Sequence, residues 1–81
     1  MDPISAEQCR GARAMLGWSQ SELAEAAGVS RTLLVEFERG ARTPHRNNLD
    51  AMRRAMEAAG IEFIEENGGG AGVRFRHRQN R

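Results

Sequence analysis

Residues 18–40 read WSQSELAEAAGVSRTLLVEFERG, and their spacing predicts two short helices joined by a sharp turn. Ser19 followed by Glu22 has capping-box spacing: the hydroxyl serves an orphan backbone N–H at the helix start, and the carboxylate reaches back to the cap. Trp18 and Leu23 flank it as a hydrophobic staple, so this helix runs from about Gln20 to Ala27. Gly28 suits a sharp turn, and Ser30 caps a following helix of about Arg31 to Arg39, with Val29 and Leu34 as a second staple and Gly40 as its stop. Leu23, Ala27, Val29, Leu34 and Phe37 are the inward positions of the pair, and Ala24 is small where a larger side chain would push the helices apart. Val35 and Glu36 fall on the outward face, one turn after Arg31 and Thr32.

The same punctuation extends to both sides. Ser5 with Gln8 repeats the capping box, Ile4 and Cys9 close a staple around it, and a helix runs from about Ala6 to Leu16 before Gly17. Pro44 interrupts the loop after Gly40, Asn47 or Asn48 caps a further helix to about Ala59, and Gly60 with Ile61 packing on Met56 has Schellman-type spacing. Beyond Gly60 the period changes. Ile61, Phe63, Val73 and Phe75 are apolar at alternate positions around a Gly-rich segment at 67–72, which predicts a β-hairpin. A two-stranded hairpin alone is marginal, so this one needs cover; the alternative is a disordered tail. The reading is a mainly α fold: a four-to-five-helix domain over residues 5–60, a C-terminal β-hairpin extension at 61–76, and a loose end at 77–81. Met15, Leu16, Leu23, Leu34, Phe37, Leu49, Met52 and Met56 recur at helical spacing as its core.

Composition bounds the function. The chain has 81 residues with a formal net charge of +1 and 28% charged residues, the profile of one small domain. All of its Lys+Arg total of 12 is Arg. No apolar run approaches the ~20 residues that span a bilayer, and Met1-Asp2-Pro3 lacks signal-peptide features, so a cytoplasmic protein with no membrane partner is expected. Cys9 is alone and reads as a small packing residue; with only His45 and His77 beside it, neither a metal site nor a cofactor is expected. No Ser/His/Asp grouping, carboxylate pair or phosphate loop stands out, which argues against an enzyme. The near-zero total hides segregation: Arg39, Arg42, Arg46, Arg53 and Arg54 face only Asp50 between 39 and 54, while Glu57, Glu62, Glu65 and Glu66 follow with no cation among them. That polarity would orient the domain on a polyanion.

The 18–40 segment resembles the XRE family, the phage repressor and Cro type of helix-turn-helix. The likeness rests on Ser19-Gln20, Leu23-Ala24, Gly28-Val29-Ser30 and Glu38-Arg39-Gly40 in their family order, and with the flanking helices it covers roughly Ser5 to Gly60. It implies a repressor-like domain that binds double-stranded DNA in a sequence-specific way, usually as a homodimer on a two-fold operator, and usually to regulate transcription. Gln20 matches the residue that clamps a phosphate and buttresses the first residue of the recognition helix, and Ser19 beside it is a further phosphate candidate. Arg31 and Thr32 match the positions that meet base edges: Arg pairs bidentately with guanine O6 and N7, and Thr offers a hydroxyl or meets a thymine methyl. Val35 and Glu36 follow on the same face, where Val can touch a thymine methyl and Glu can accept from cytosine N4. Glu36 departs from the commoner pattern, because phosphates repel it. Either it reads a base or pairs with Arg31 or Arg39, or the helix inserts less deeply. Arg39, Arg42, Thr43, Arg46 and Asn47 look like backbone clamps, with N–H groups at the start of the fourth helix adding to a phosphate. Arg53 and Arg54 are expected to pair with Asp50 or Glu57. A strand at Ile61 to Glu65 or Val73 to Phe75 is a candidate dimer edge, against a hairpin that folds back on its own helices. The second functional reading is a protein-interaction module on the same fold, an antitoxin or antiactivator with a protein partner, possessing contacts at Glu36 and the acidic 57–66 stretch.

Overall fold

The computed structural model describes residues 2–78. Four helices, α1 (Ala6–Leu16), α2 (Gln20–Ala27), α3 (Arg31–Glu38) and α4 (Arg46–Ala58), precede an antiparallel hairpin of β1 (Ile61–Ile64) and β2 (Gly72–Phe75). The helix starts are local chemistry. Ser5 and Ser19 each accept the backbone N–H three residues on, and Gln8 and Glu22 return the bond to the cap. Ser30 accepts Leu33 N–H at 2.9 Å. Gly28 closes α2 at φ 69, a left-handed conformation that costs glycine nothing and lets the chain turn into α3.

Two boundaries differ from the sequence expectation. The cap of α4 is His45, not Asn47 or Asn48: its Nδ1 accepts Asn47 N–H at 3.1 Å, so an imidazole nitrogen does the work of an Asx oxygen, two positions before the nearer expected cap. The third helix, α3, ends at Glu38, one residue short of the expected Arg39, which is its C-cap.

One core joins all six elements. Ile4, Cys9, Ala12, Leu23, Ala24, Leu34, Phe37, Leu49, Met52, Met56, Ile61 and Phe63 form a single buried cluster. Fully buried side chains of the size of Leu23, Leu34, Met56 and Ile61 each contribute about 1.5–3 kcal/mol. The hairpin finds its cover within the chain: β1 packs on α4 and β2 on α1. Its register pairs Ile61 with Phe75 and Phe63 with Val73 on the core-facing side, and Glu62 with Arg74 on the other. α1 lies against β2 at Gly11, where a Cβ would sit in ordinary van der Waals contact with Val73 Cγ2 at 3.4 Å. Gln8 fastens the same junction: beyond its capping role, its Nε2 donates to Ile64 O at 3.3 Å and Gly72 O at 3.0 Å. Of the loose end expected at 77–81, residues 79–81 lie outside the described residues.

Candidate nucleic-acid interface

The burial pattern of α3 divides it cleanly. Leu33, Leu34, Phe37 and Glu38 are buried, Arg31 and Thr32 are exposed, and Val35 and Glu36 are half-buried on the outward side. The inward residues thus fasten the helix and leave Arg31, Thr32, Val35 and Glu36 along one solvent-facing strip. Behind them Gly40 turns the chain at φ 80, and Ala41 N–H donates to Glu36 O at 2.9 Å, folding the loop against the helix end. Arg42 Nη1 reaches Glu36 Oε1 at 3.2 Å. Glu36 therefore pairs with Arg42, and neither Arg31 nor Arg39 takes that role, because the turn at Gly40 brings the loop residue back alongside.

The remaining candidates differ in how they are held. Arg39 and Thr43 are exposed. Arg46 forms an i,i+4 ion pair with Asp50 at 3.2 Å. Asn47 is exposed, but the α4 N–H groups proposed for a phosphate are engaged, Asn47 N–H by His45 Nδ1 and Asn48 N–H by His45 O at 2.9 Å. Ser19 accepts Glu22 N–H at 3.0 Å, which leaves its hydroxyl proton available to an acceptor. Arg53 pairs with Glu57 at 3.1 Å, as its spacing predicts, and lies over the Phe63 ring at 5.3 Å.

Gln20 shows the larger surprise. Its Nε2 donates to Glu38 Oε1 at 3.1 Å, so the residue expected to buttress Arg31 is anchored to the far end of α3. Glu38 is the centre of this arrangement and escaped the sequence reading as a functional candidate. It accepts from Arg13 Nε at 3.0 Å, Arg13 Nη2 at 2.9 Å and Cys9 Sγ at 3.2 Å, and its backbone carbonyl accepts from Arg10. Burial pushes the Glu38 pKa up, but the bonds from Arg13, Cys9 and Gln20 outweigh it and hold the carboxyl below its usual value. Burial, then the Glu38 bond and charge, pushes the Cys9 thiol well above the usual range, so it stays protonated. The signal for Glu38 was its spacing: it stands four residues after Leu34 and next to Phe37, on the inward face, where a carboxylate needs a cation.

Among the described residues, no buried side-chain nitrogen or oxygen lacks a partner, no helix is long and apolar enough to cross a membrane, and no group of His, Cys, Asp and Glu has the arrangement of metal ligands. The helix-turn-helix family model matches residues 10–60, which span α1 from its second turn through the end of α4. The chain belongs to the XRE-type helix-turn-helix family. No curated protein matches it. As a member of this helix-turn-helix family, the chain carries a DNA-binding domain of the kind used in transcription regulation.

Proposed function

We propose that this helix-turn-helix domain binds double-stranded DNA in a sequence-specific way, as a homodimer on a two-fold operator, with α3 in the major groove. The observation that carries the reading is the outward strip of α3, where Arg31, Thr32, Val35 and Glu36 are displayed while the opposite face is locked by Leu33, Leu34, Phe37 and Glu38. Arg31 and Thr32 meet base edges first, and Val35 and Glu36 follow one turn later. Arg39, Thr43 and Arg46, with Ser19, Gln20 and Asn47, supply contacts to the sugar-phosphate backbone. Those contacts fix register and contribute salt-dependent affinity without reading sequence.

The protomer measures 34 × 30 × 19 Å, small enough for one copy to occupy each half-site. Half-sites one turn apart on B-DNA are ~34 Å apart. In the competing protein-interaction reading the acidic candidates are partly engaged within the chain: Glu36 pairs with Arg42, Glu57 with Arg53 and Glu62 with Arg74, and Glu65 accepts Asp2 N–H at 3.0 Å, while Glu66 is exposed. The test is selection of bound duplexes from a random pool, followed by titration of the selected duplex at several salt concentrations. Enrichment of a two-fold motif with half-sites about one turn apart, together with a steep salt slope, supports the proposal; an unenriched pool overturns it.

A further inference from the structure

Glu36 and Arg42 present a physical problem that the fold resolves. A carboxylate on the outward strip of a recognition helix must approach a duplex that carries one phosphate charge per ~1.7 Å of axis, and alone it is repelled. Here Arg42 Nη1 bonds Glu36 Oε1 at 3.2 Å, and both groups stay at the surface, Arg42 58% and Glu36 33% exposed. The loop that carries Arg42 is tied to the same residue a second time, through Ala41 N–H to Glu36 O at 2.9 Å. The pair is neutral as a unit. Glu36 Oε2 takes no hydrogen bond among the described residues, so a partly exposed group whose charge is already compensated keeps one acceptor unengaged.

The major groove limits what such an acceptor can meet. Guanine presents N7 and O6 and thymine presents O4, all acceptors; adenine N6 donates but lies beside its own N7 acceptor. Cytosine N4 is the donor with no acceptor on the same base edge. We propose that Glu36, held by Arg42, is a specificity-determining residue that selects a cytosine through its exocyclic amine, and that Arg42 is its positioning residue and not an independent phosphate clamp. The inference rests on the operator-binding reading above and adds the base to it.

The experiment compares duplex selections by the wild-type chain and the variants Glu36→Gln, Arg42→Ala and Arg31→Ala, each first shown by thermal melting to be folded. The wild-type motif is expected to contain a cytosine position that becomes adenine with Glu36→Gln, because a glutamine amide pairs bidentately with adenine N6 and N7. Arg42→Ala should reduce preference at that same position roughly tenfold, and Arg31→Ala should alter a different one. A motif unchanged by Glu36→Gln overturns the inference. So does an Arg42→Ala chain that weakens every duplex equally with the cytosine position intact, the behaviour of a phosphate clamp. A wild-type chain that enriches no motif overturns the operator reading itself and this inference with it, whereas an enriched motif indifferent to Glu36 overturns the inference alone.

Discussion

Arg13 on α1 and Glu38 at the end of α3 form a two-point ion pair, with Arg13 Nε 3.0 Å from Glu38 Oε2 and Nη2 2.9 Å from Oε1. The carboxylate is 3% exposed and the guanidinium 21% exposed. Planar guanidinium and carboxylate match in this fork, which gives direction as well as attraction. Because Gln20 bonds the same carboxylate, one group sets the start of α2, the end of α3 and the face of α1 against each other. The position of the Gln20 side chain depends on that joint.

Removing the cation should therefore do more than remove a charge. Arg13→Ala leaves the Glu38 carboxylate buried with only Cys9 and Gln20 as side-chain donors, and the expected loss is about 3–5 kcal/mol. Urea denaturation of the wild type and variant measures it. Glu38→Gln, which keeps a hydrogen-bond acceptor for Arg13, should lose less; equal stability of Arg13→Ala and wild type would show that the joint does not hold the fold.

The two buried acids give pH dependences of opposite sign. Glu38 has a folded pKa below its unfolded value of about 4.3, so its contribution is complete above that pH and is lost as pH falls through the folded value. Cys9 has a folded pKa above its unfolded value of about 8.5, so its contribution is complete below that pH and declines as pH rises beyond it. Urea unfolding across a pH series should show a plateau between the two limbs. Glu38→Gln should flatten the acid limb and Cys9→Ala the alkaline one, each from a lower starting stability; an alkaline limb as steep in Cys9→Ala as in wild type would assign it elsewhere.

Two exposed arginines at opposite ends of α3 should behave differently on DNA. Arg31→Ala is expected to cost about 1–3 kcal/mol on the selected duplex and to relax preference at one base position. Arg39→Ala is expected to weaken all sequences alike and to reduce the salt slope by about one. Binding titrations on the selected duplex and on single-position variants, at three salt concentrations, separate the two; an Arg31→Ala chain with its full base preference would remove Arg31 from readout.

The hairpin is a structural part of the domain. Ile61 and Phe63 are 0% and 7% exposed and belong to the same cluster as Leu34 and Met56. A chain cut after Gly60 should lose cooperative thermal unfolding even though it keeps the whole matched helix-turn-helix segment. A sharp transition for the shortened chain, close to that of the full one, would contradict this. The proposal that the strands form a dimer edge is accordingly better tested by a surface change such as Arg74→Glu, read by sedimentation.

Local chemistry explains what the sequence made legible. Ser5, Ser19 and Ser30 announce their helices because each cap acts within three residues, and alternation at Ile61, Phe63, Val73 and Phe75 marks a hairpin without knowledge of its cover. The outward strip of α3 follows from helical period alone. Contacts that span the fold were not readable. Glu38 finds Arg13 twenty-five positions earlier in the chain on another helix, and Glu36 finds Arg42 only because the backbone reverses at Gly40. His45 caps α4 through a ring nitrogen, which stands outside the usual ranking of cap residues.

Gln8 has one further consequence, for the order of events as the chain is made. Its amide must find Ile64 O and Gly72 O, separated from it by 56 and 64 positions. At about 5–20 residues per second of synthesis, those acceptors emerge some 3–13 s after Gln8 itself. During that interval the first helix has its starting cap but not the strands that cover it, so the nascent helices present uncovered apolar faces to whatever lies nearby. The domain is completed only when the last strand reaches the first helix, so its two ends close the fold together.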